Sequence, residues 1–399
     1  MQKNIVKTSQ ACDFLALVPQ LLGFLPEKCI VLVAFRGNRT CGAMRFNLPD
    51  PDAPAKVHKR IATTLIGMLC KIPGVDAVVP VAYADDSFGS VPGIPHERFA
   101  EALIARAELA GFLVRDALCV GADGWGSYLE PECPTGGHSL SDITTSEVHQ
   151  AIPADARRDL AALRSGAELP VVDLAVKERL ARRLAGLERL ARGADSLPEL
   201  IDTVGDILDP VELAETALTW DPASLRLDDA AALLFLVQGP ANRDQIMLQF
   251  AFGEEVGIRT YELNLRYAII QRATGNSMDA IVQDECAQPA GVHPDAQRTG
   301  DLMLGLGTER PDPARIGQAI ALLKTLVAIA PRSTRPAPLC MLAWLSWALG
   351  RGSVAGMFID KALAIDPAYG MAGLLNAVVS CGHLPDWAYQ VPFDTEPSP

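Results

Sequence analysis

An unbroken apolar run followed by a two-residue turn most constrains what this chain can fold into. Residues 29–36 read CIVLVAFR, the dipeptide Gly37-Asn38 follows, and residues 39–48 read RTCGAMRFNL. A Gly-Asn pair between two apolar runs is typical of a tight antiparallel hairpin. The sequence therefore predicts two paired strands on either side of this turn, and a chain that opens with a sheet.

Helical and strand patterns alternate through the rest of the first 150 residues. Apolar positions recur at helical spacing in residues 53–72 and 95–112, whereas residues 75–84 and 113–120 read as strands. The order strand, strand, helix, strand, helix, strand implies a mixed sheet with helices packed against it. We therefore expect residues 1–150 to form an N-terminal α/β (α+β) domain with a mixed sheet.

A short helix is predicted before this sheet. The stretch DFLALVPQLLG has Asp13 at its start, where an N-cap would lie, and Pro19 in its middle. Because proline lacks a backbone N–H and clashes with the preceding turn, the sequence predicts a helix that is broken at Pro19 and ends near Gly23.

Helical patterns replace the alternation after about residue 140. Residues 227–252 read as two helices about the turn Gly239-Pro240. We expect residues 151–310 to be mainly helical. Prolines that interrupt the pattern stand at positions 153, 170, 198, 210 and 222.

The C-terminal fifth has the spacing of a helical repeat. Gly350, Ala355, Ala362 and Pro367 match a tetratricopeptide helix pair, because small residues let the two helices approach while Gly and Pro end them. We predict a tetratricopeptide-like helical cap at residues 311–385. The last segment, residues 386–399, contains prolines and acids without a Lys or Arg, and a loose acidic tail is predicted there.

Charge and hydropathy exclude several classes of protein. The net charge is −13, and no basic domain is present to bind phosphates, so a nucleic-acid partner is not expected. The one cationic stretch, residues 177–192, reads as an amphipathic helix with a solvated face. No apolar run reaches the roughly 20 residues that span a bilayer, so no membrane association is expected. The nine cysteines stand singly without a CxxC pair, and a cytoplasmic location is predicted.

No familiar catalytic motif is present, and the sequence favours a protein that is not an enzyme. The loop after the strand at residues 75–84 reads ADDSFGSVPGIPH, at a position where open α/β sheets place ligands. Asp85, Asp86 and His96 are the candidate catalytic residues there. The alternative is that these acids are solvated loop residues between a strand and a helix.

Residues 120–134, VGADGWGSYLEPECP, combine aromatic, acidic and sulfur side chains in a Gly- and Pro-rich segment. A hairpin through GADG would place Trp125 on one face and Tyr128 on the other, and both are candidate ligand-binding residues. Cys133, His138 and His149 have the spacing of no compact zinc finger. The sequence therefore predicts neither a metal nor a cofactor.

Several stretches together resemble the actinobacterial domain of unknown function 4192 family: VPQLLGFLPEKCIVLVAFRG, AMRFNLPD, VAYADD, VRDALCVGADGWGSYL, NRDQIML and the C-terminal LAWLSWALGRGSVAGMFIDKALAIDPAYGMAGLL. The resemblance covers nearly the whole chain. It implies a cytoplasmic bacterial protein and no particular activity. It also implies a cysteine and then Cys-Cys-Pro after SYL. Here only Cys133 and Pro134 match, so no metal or redox role of a fuller cysteine set is expected.

Two functions of different classes remain open. The favoured one is a non-enzymatic binding or regulatory protein that uses its helical C-terminal surface for a protein partner. The alternative is an enzyme or small-ligand sensor whose site, at the strand ends of the N-terminal domain, contains Asp85, Asp86, Trp125 and Tyr128.

Overall fold

The computed structural model describes residues 10–22, 24–153, 166–192, 209–287, 291–380 and 384–389. The chain separates into two compact units. The N-terminal unit comprises residues 1–168 with 389–399, and the helical unit comprises residues 169–388. The division into residues 1–150, 151–310, 311–385 and 386–399 that the sequence suggests stays a prediction.

The N-terminal unit is built on a six-stranded mixed sheet of order β2-β1-β3-β5-β6, with β4 paired to β3. β1 pairs antiparallel with β2 and β3, β3 pairs parallel with β4 and β5, and β5 pairs antiparallel with β6. The predicted mixed sheet is confirmed. The strands are β1 Cys29–Arg36, β2 Arg39–Asn47, β3 Ala77–Tyr83, β4 Leu113–Val114, β5 Leu118–Val120 and β6 Trp125–Ser127.

The predicted hairpin at Gly37-Asn38 is confirmed, with Arg36 opposite Arg39. Gly37 has φ of 51°, the left-handed conformation that such turns favour and that glycine adopts without strain. The single strand predicted at residues 113–120 is wrong in one respect: it divides into β4 and β5, with Arg115 and Asp116 between them. Those two side chains become part of the site described below.

Five helices belong to the described part of the N-terminal unit: α1 Ala11–Leu22, α2 Ala55–Leu69, α3 Glu97–Leu109, α4 Leu140–Thr145 and α5 Glu147–Ala151. One face of the sheet packs against α1, whose Phe14, Leu15 and Val18 join the apolar core of the sheet. On the other side, α3 contacts β3 and β4 and packs against α2. β1 is buried along nearly its whole length, as a strand covered on both faces must be.

The first helix differs from its prediction at both marked positions. It begins at Ala11, so Asp13 lies buried within the first turn and is not the N-cap, and Pro19 lies inside a helix that continues to Leu22. An internal proline costs about 3 kcal/mol, whereas burying each large apolar side chain contributes about 1.5–3 kcal/mol. The burial of Phe14, Leu15 and Val18 therefore outweighs the proline.

The described part of the helical unit contains no strand, and the predicted mainly helical region is confirmed. Pro210, expected as an interruption, and Pro240, expected in a turn, are the first residues of two helices, a position where the missing N–H has no helical partner to lose. The helices are α6 Leu174–Ala191, α7 Pro210–Leu218, α8 Leu227–Leu236, α9 Pro240–Phe252, α10 Glu254–Thr274, α11 Met278–Ala287, α12 Pro294–Leu304, α13 Pro313–Ile329, α14 Pro336–Ala348, α15 Gly352–Leu363 and α16 Gly370–Ser380.

The last four helices pack on their neighbours in sequence. α14 and α15 meet across the two small residues singled out in the sequence, Ala355 and Ala362, both fully buried. Gly350 has φ of 76° between them. The helix pair is confirmed, while its tetratricopeptide-like character stays a prediction. Among the described residues, none of the helices has both the length and the apolar character needed to cross a membrane.

Candidate functional site

The candidate site is built on the hairpin of β5 and β6 at the edge of the sheet. The predicted GADG turn is confirmed: Val120 lies opposite Trp125, and the Gly121 amide donates a hydrogen bond to the Gly124 carbonyl at 2.8 Å. Because side chains alternate along a strand, Trp125 and Ser127 lie on the face that α1 covers. Gly126 lies on the opposite face, where Phe88 is its neighbour.

The chain after β6 returns along the outer edge of that strand. Trp125 and His138 form an isolated antiparallel bridge, with the Trp125 amide donating to the His138 carbonyl at 2.9 Å and the His138 amide donating to the Trp125 carbonyl at 2.7 Å. Their rings lie 4.6 Å apart, and the Trp125 indole N–H donates to the Ser139 carbonyl at 3.1 Å. These contacts fix the end of the return loop, residues 128–138, against β6.

Glycines allow this loop and the hairpin to approach each other closely. A Cβ at Gly124 would lie 2.6 Å from the Gly136 carbonyl oxygen, and a Cβ at Gly126 would lie 2.6 Å from Cys133 Sγ. Gly137 has φ of 71° and contacts the fully buried ring of Phe88. The return loop is therefore packed against the sheet edge through backbone contacts that side chains would prevent.

A cavity of about 450 Å³ opens on the α1 side of this edge, and we call it the β6 pocket. Ser127 donates a hydrogen bond to Asp116 Oδ1 at 2.5 Å, and the Ala117 amide donates to the same oxygen at 2.8 Å. Arg115 donates from its guanidinium to the Gly37 carbonyl. The lining residues are Ala11, Arg115, Asp116, Trp125, Ser127, Leu129, Glu130 and His138.

Three side chains of the return loop bring possible metal ligands together. Each of Glu130, Cys133 and His138 contributes one possible ligand atom, and these three atoms lie within 4.8 Å of one another. His138 Nε2 lies 2.8 Å from Glu130 Oε2. Burial, and secondly the nearby Glu130 carboxylate, raise the pKa of the Cys133 thiol. In the described part of the chain, this is the one group of three such residues close enough to share an ion.

The predicted catalytic candidates lie elsewhere, at the carboxyl end of β3. Asp85 is exposed and forms an ion pair with Lys28 at 2.5 Å, and the hydrogen bond between them raises the pKa of Lys28. Asp86 Oδ2 lies 3.6 Å from His96 Nε2. Burial lowers the pKa of His96, and the Asp86 carboxylate only partly opposes this effect. The structure thus brings Asp86 and His96 together and leaves Asp85 apart from them.

The predicted ligand-binding residues separate across the sheet. Trp125 lines the β6 pocket, whereas the Tyr128 hydroxyl donates to the Pro95 carbonyl, before α3. Burial raises the pKa of Tyr128 well above its ordinary value. Trp125 and Tyr128 therefore do not line one cavity, because two residues an odd number of positions apart in an extended segment face opposite sides.

The loop that carries Asp85 and Asp86 is organised by an acid that the sequence did not single out. Asp123 accepts hydrogen bonds from the Ser87 hydroxyl at 2.5 Å and from the Phe88 amide at 2.7 Å, and these two bonds, in that order, lower its pKa. Their effect is to hold Phe88 beneath the hairpin. This links the loop after β3 to the turn after β5.

Sequence reasoning also missed Arg115, Asp116, Ser127 and Glu130. A signal existed for Glu130, because Glu-x2-Cys-x4-His is a compact spacing of three ligand types. His149, which stands with Cys133 and His138 in the sequence pattern for which no metal is predicted, lies in α5 and is not in the cluster. For Arg115 and Asp116 the only signal was two charged residues within an apparent strand.

Comparison with known proteins gives one match. The sequence model of a family described as "Domain of unknown function (DUF4192)" matches residues 12–260 and 265–386, nearly the whole chain. No curated protein and no solved structure matches the chain.

Proposed function

Because the chain belongs to the domain of unknown function 4192 family, whose description names no activity, we propose a function from the geometry of the N-terminal unit. The protein binds a small polar metabolite in the β6 pocket. The observation that carries this proposal is a cavity of about 450 Å³ whose wall joins an indole to two carboxylates, a guanidinium and an imidazole. Apolar surface with a few fixed polar groups is typical of small-molecule sites.

The hydrogen bonds within the wall indicate which ligand chemistry fits. Both hydrogen bonds to Asp116 use Oδ1, so Oδ2 is available to a ligand. The hydrogen bond between Glu130 and His138 uses Oε2, and the guanidinium of Arg115 is bound to the Gly37 carbonyl. Since Asp116 Oδ2 is an acceptor, the ligand is expected to carry a hydroxyl or amine donor for it beside an apolar part that contacts Trp125.

A thermal-shift screen of hydroxyl- and amine-bearing metabolites tests this proposal. A ligand that binds only the native state stabilises it by about 2.7 kcal/mol at 100 times its Kd, which raises the melting temperature. Asp116→Asn keeps the size of the side chain but removes its charge. Because a hydrogen bond to a charged group contributes about 1.5–3 kcal/mol, the variant should bind about 10- to 100-fold more weakly.

Asp142→Asn is the matched control, since Asp142 is an exposed carboxylate on α4 of the same unit. The control should bind like the wild type. A screen without hits, or hits that bind Asp116→Asn and the wild type equally, would refute the proposal.

A second function, binding of a protein partner through the helical C-terminal region, is supported by α16. Its Met371, Ala372 and Leu375 are buried, whereas the Leu374 side chain is 72% exposed on the outward face. The tetratricopeptide-like spacing of the preceding helices supports the same function. The expected partner offers an apolar helix to this face. Leu374→Asp should abolish its capture, whereas Leu109→Asp, equally exposed on α3, should not; equal capture by both variants would contradict this function.

A cytoplasmic location is part of the proposal and is supported by the cysteines. The eight described cysteines are all free thiols, as expected in a reducing compartment. Cell fractionation with an antibody to the chain tests this location, and recovery outside the cytosolic fraction would contradict it.

A further inference from the structure

We propose that Glu130, Cys133 and His138 bind a divalent transition-metal ion of the zinc class, with three protein ligands and a fourth position open to water or ligand. This site goes beyond the metabolite function and does not depend on it. Glu130 and His138 also line the β6 pocket, whereas Cys133 does not. A bound ion would therefore border the cavity, because two of its three ligands belong to the cavity wall.

The distances between the ligand atoms are close to those of a tetrahedral site. Zinc bonds of about 2.0–2.3 Å place tetrahedral ligand atoms about 3.3–3.8 Å apart. The three atoms here lie within 4.8 Å of one another, and the closest pair, His138 Nε2 and Glu130 Oε2, lies at 2.8 Å. That pair must open by about 0.5 Å, and no other pair must close by more than about 1 Å. Small side-chain rotations on a half-exposed loop suffice for both.

The donor set indicates the class of metal. One thiolate, one imidazole and one carboxylate are ligands that zinc and its neighbours accept, whereas calcium and magnesium prefer oxygen donors alone. Zinc sites that bind a further molecule have three protein ligands and an open fourth position. Purely structural zinc sites have four protein ligands. The loop therefore matches the first kind of site.

The protein holds these ligands on a short and supported loop. His138 is fixed by its two backbone hydrogen bonds to Trp125 and by the Trp125 ring 4.6 Å away. Cys133 Sγ fits beside Gly126 only because that residue has no Cβ, which would lie 2.6 Å from the sulfur. Cys133 and His138 thus both lie against the same strand, β6, and the site does not require the backbone to rearrange.

Cobalt titration of the metal-free full chain tests the site, because Co²⁺ reports its own ligands. After chelation under a phosphine reductant, Co²⁺ should give a sulfur-to-cobalt charge-transfer band in the near ultraviolet and the visible bands of a tetrahedral ion. One equivalent of Zn²⁺ should abolish both. Cys133→Ser should lose the charge-transfer band. His138→Gln and Glu130→Gln should weaken binding by at least about 100-fold, since loss of an outer-shell partner alone costs about 10–100-fold.

Cys41→Ser is the matched control, a non-buried cysteine of the same unit, and it should keep the full spectrum. A chain without the tetrahedral cobalt spectrum, or a Cys133→Ser variant that keeps the charge-transfer band, would overturn the inference. Circular dichroism of each metal-free variant shows that the fold is retained. Asp116→Asn should bind cobalt normally, so failure of the metabolite proposal and failure of this one are distinguishable.

Discussion

Replacing Gly126 with alanine tests how the return loop is attached to the sheet. The added Cβ would lie 2.6 Å from Cys133 Sγ and 3.2 Å from the nearest atom of the Phe88 ring. Phe88 is 1% exposed and cannot move into solvent, so the sulfur and its loop must shift. Insertion of a methyl group into a packed site typically costs about 1–3 kcal/mol. We expect Gly126→Ala to lower the free energy of unfolding of the N-terminal unit by that amount.

A double-mutant cycle with Cys133→Ala assigns this cost to the sulfur. Removal of Sγ eliminates the 2.6 Å contact and leaves the longer contacts with Phe88 at 3.2 and 3.4 Å. Gly126→Ala should therefore be less destabilising in the Cys133→Ala background than in the wild type. The expected interaction energy is about 0.5–3 kcal/mol, the range for residues in contact.

Urea unfolding followed by hydrogen-exchange mass spectrometry measures the free energy of unfolding of each variant, since peptides from the N-terminal unit report separately from those of the helical unit. Gly136→Ala is the control in the same loop, because a Cβ there meets nothing within 4 Å. It should be neutral or stabilise by up to about 1 kcal/mol. Equal costs of Gly126→Ala in both backgrounds, or no cost at all, would refute the packing described for the loop.

Two further predictions concern charged groups. Burial lowers the pKa of His96 below its ordinary 6.5, so the unfolded chain binds this proton first, and stability should fall as the pH drops below about 6.5, by at most about 1.4 kcal/mol per pH unit. His96→Asn, which tolerates the φ of 59°, should flatten that part of a stability–pH profile; an unchanged slope would contradict the assignment. Arg315→Ala should destabilise by about 2–3 kcal/mol in urea unfolding, because it removes the cation that faces the partly buried Glu215 carboxylate, which keeps the hydrogen bond from Gln249. Arg182→Ala, which breaks an exposed pair with Glu178, should have a much smaller effect, because exposed ion pairs contribute little to stability, and equal losses from the two substitutions would contradict this reasoning.

Local patterns were sufficient for much of the N-terminal sheet. The hairpin at Gly37-Asn38, the turn through residues 121–124 and the helix pair about Gly239-Pro240 all match their predictions. Each depends on residues within a few positions of one another, where turn chemistry and side-chain period decide the conformation. The prediction for α1 was wrong for the opposite reason, since packing against the sheet overrode the local signals of Asp13 and Pro19.

The proximity of Asp86 to His96 was also indicated by the sequence, because both residues belong to the loop that joins β3 to α3. The opposite faces of Trp125 and Tyr128 followed from the strand period alone. The strand period does not predict which of these two side chains lines a cavity, since that depends on what covers each face of the sheet. α1 and the return loop leave space beside Trp125, whereas Tyr128 is bound to the carbonyl before α3.

The sequence by itself determined the sheet followed by helices, the turns and the family resemblance, because local period and turn residues encode them. Only the tertiary structure decided the site. The bridge between Trp125 and His138 brings the return loop against β6, and the missing Cβ of Gly126 lets Cys133 lie there beside Glu130 and His138. Neither contact is visible in a spacing rule, because each arises from the pairing of a strand with a loop that no local pattern specifies.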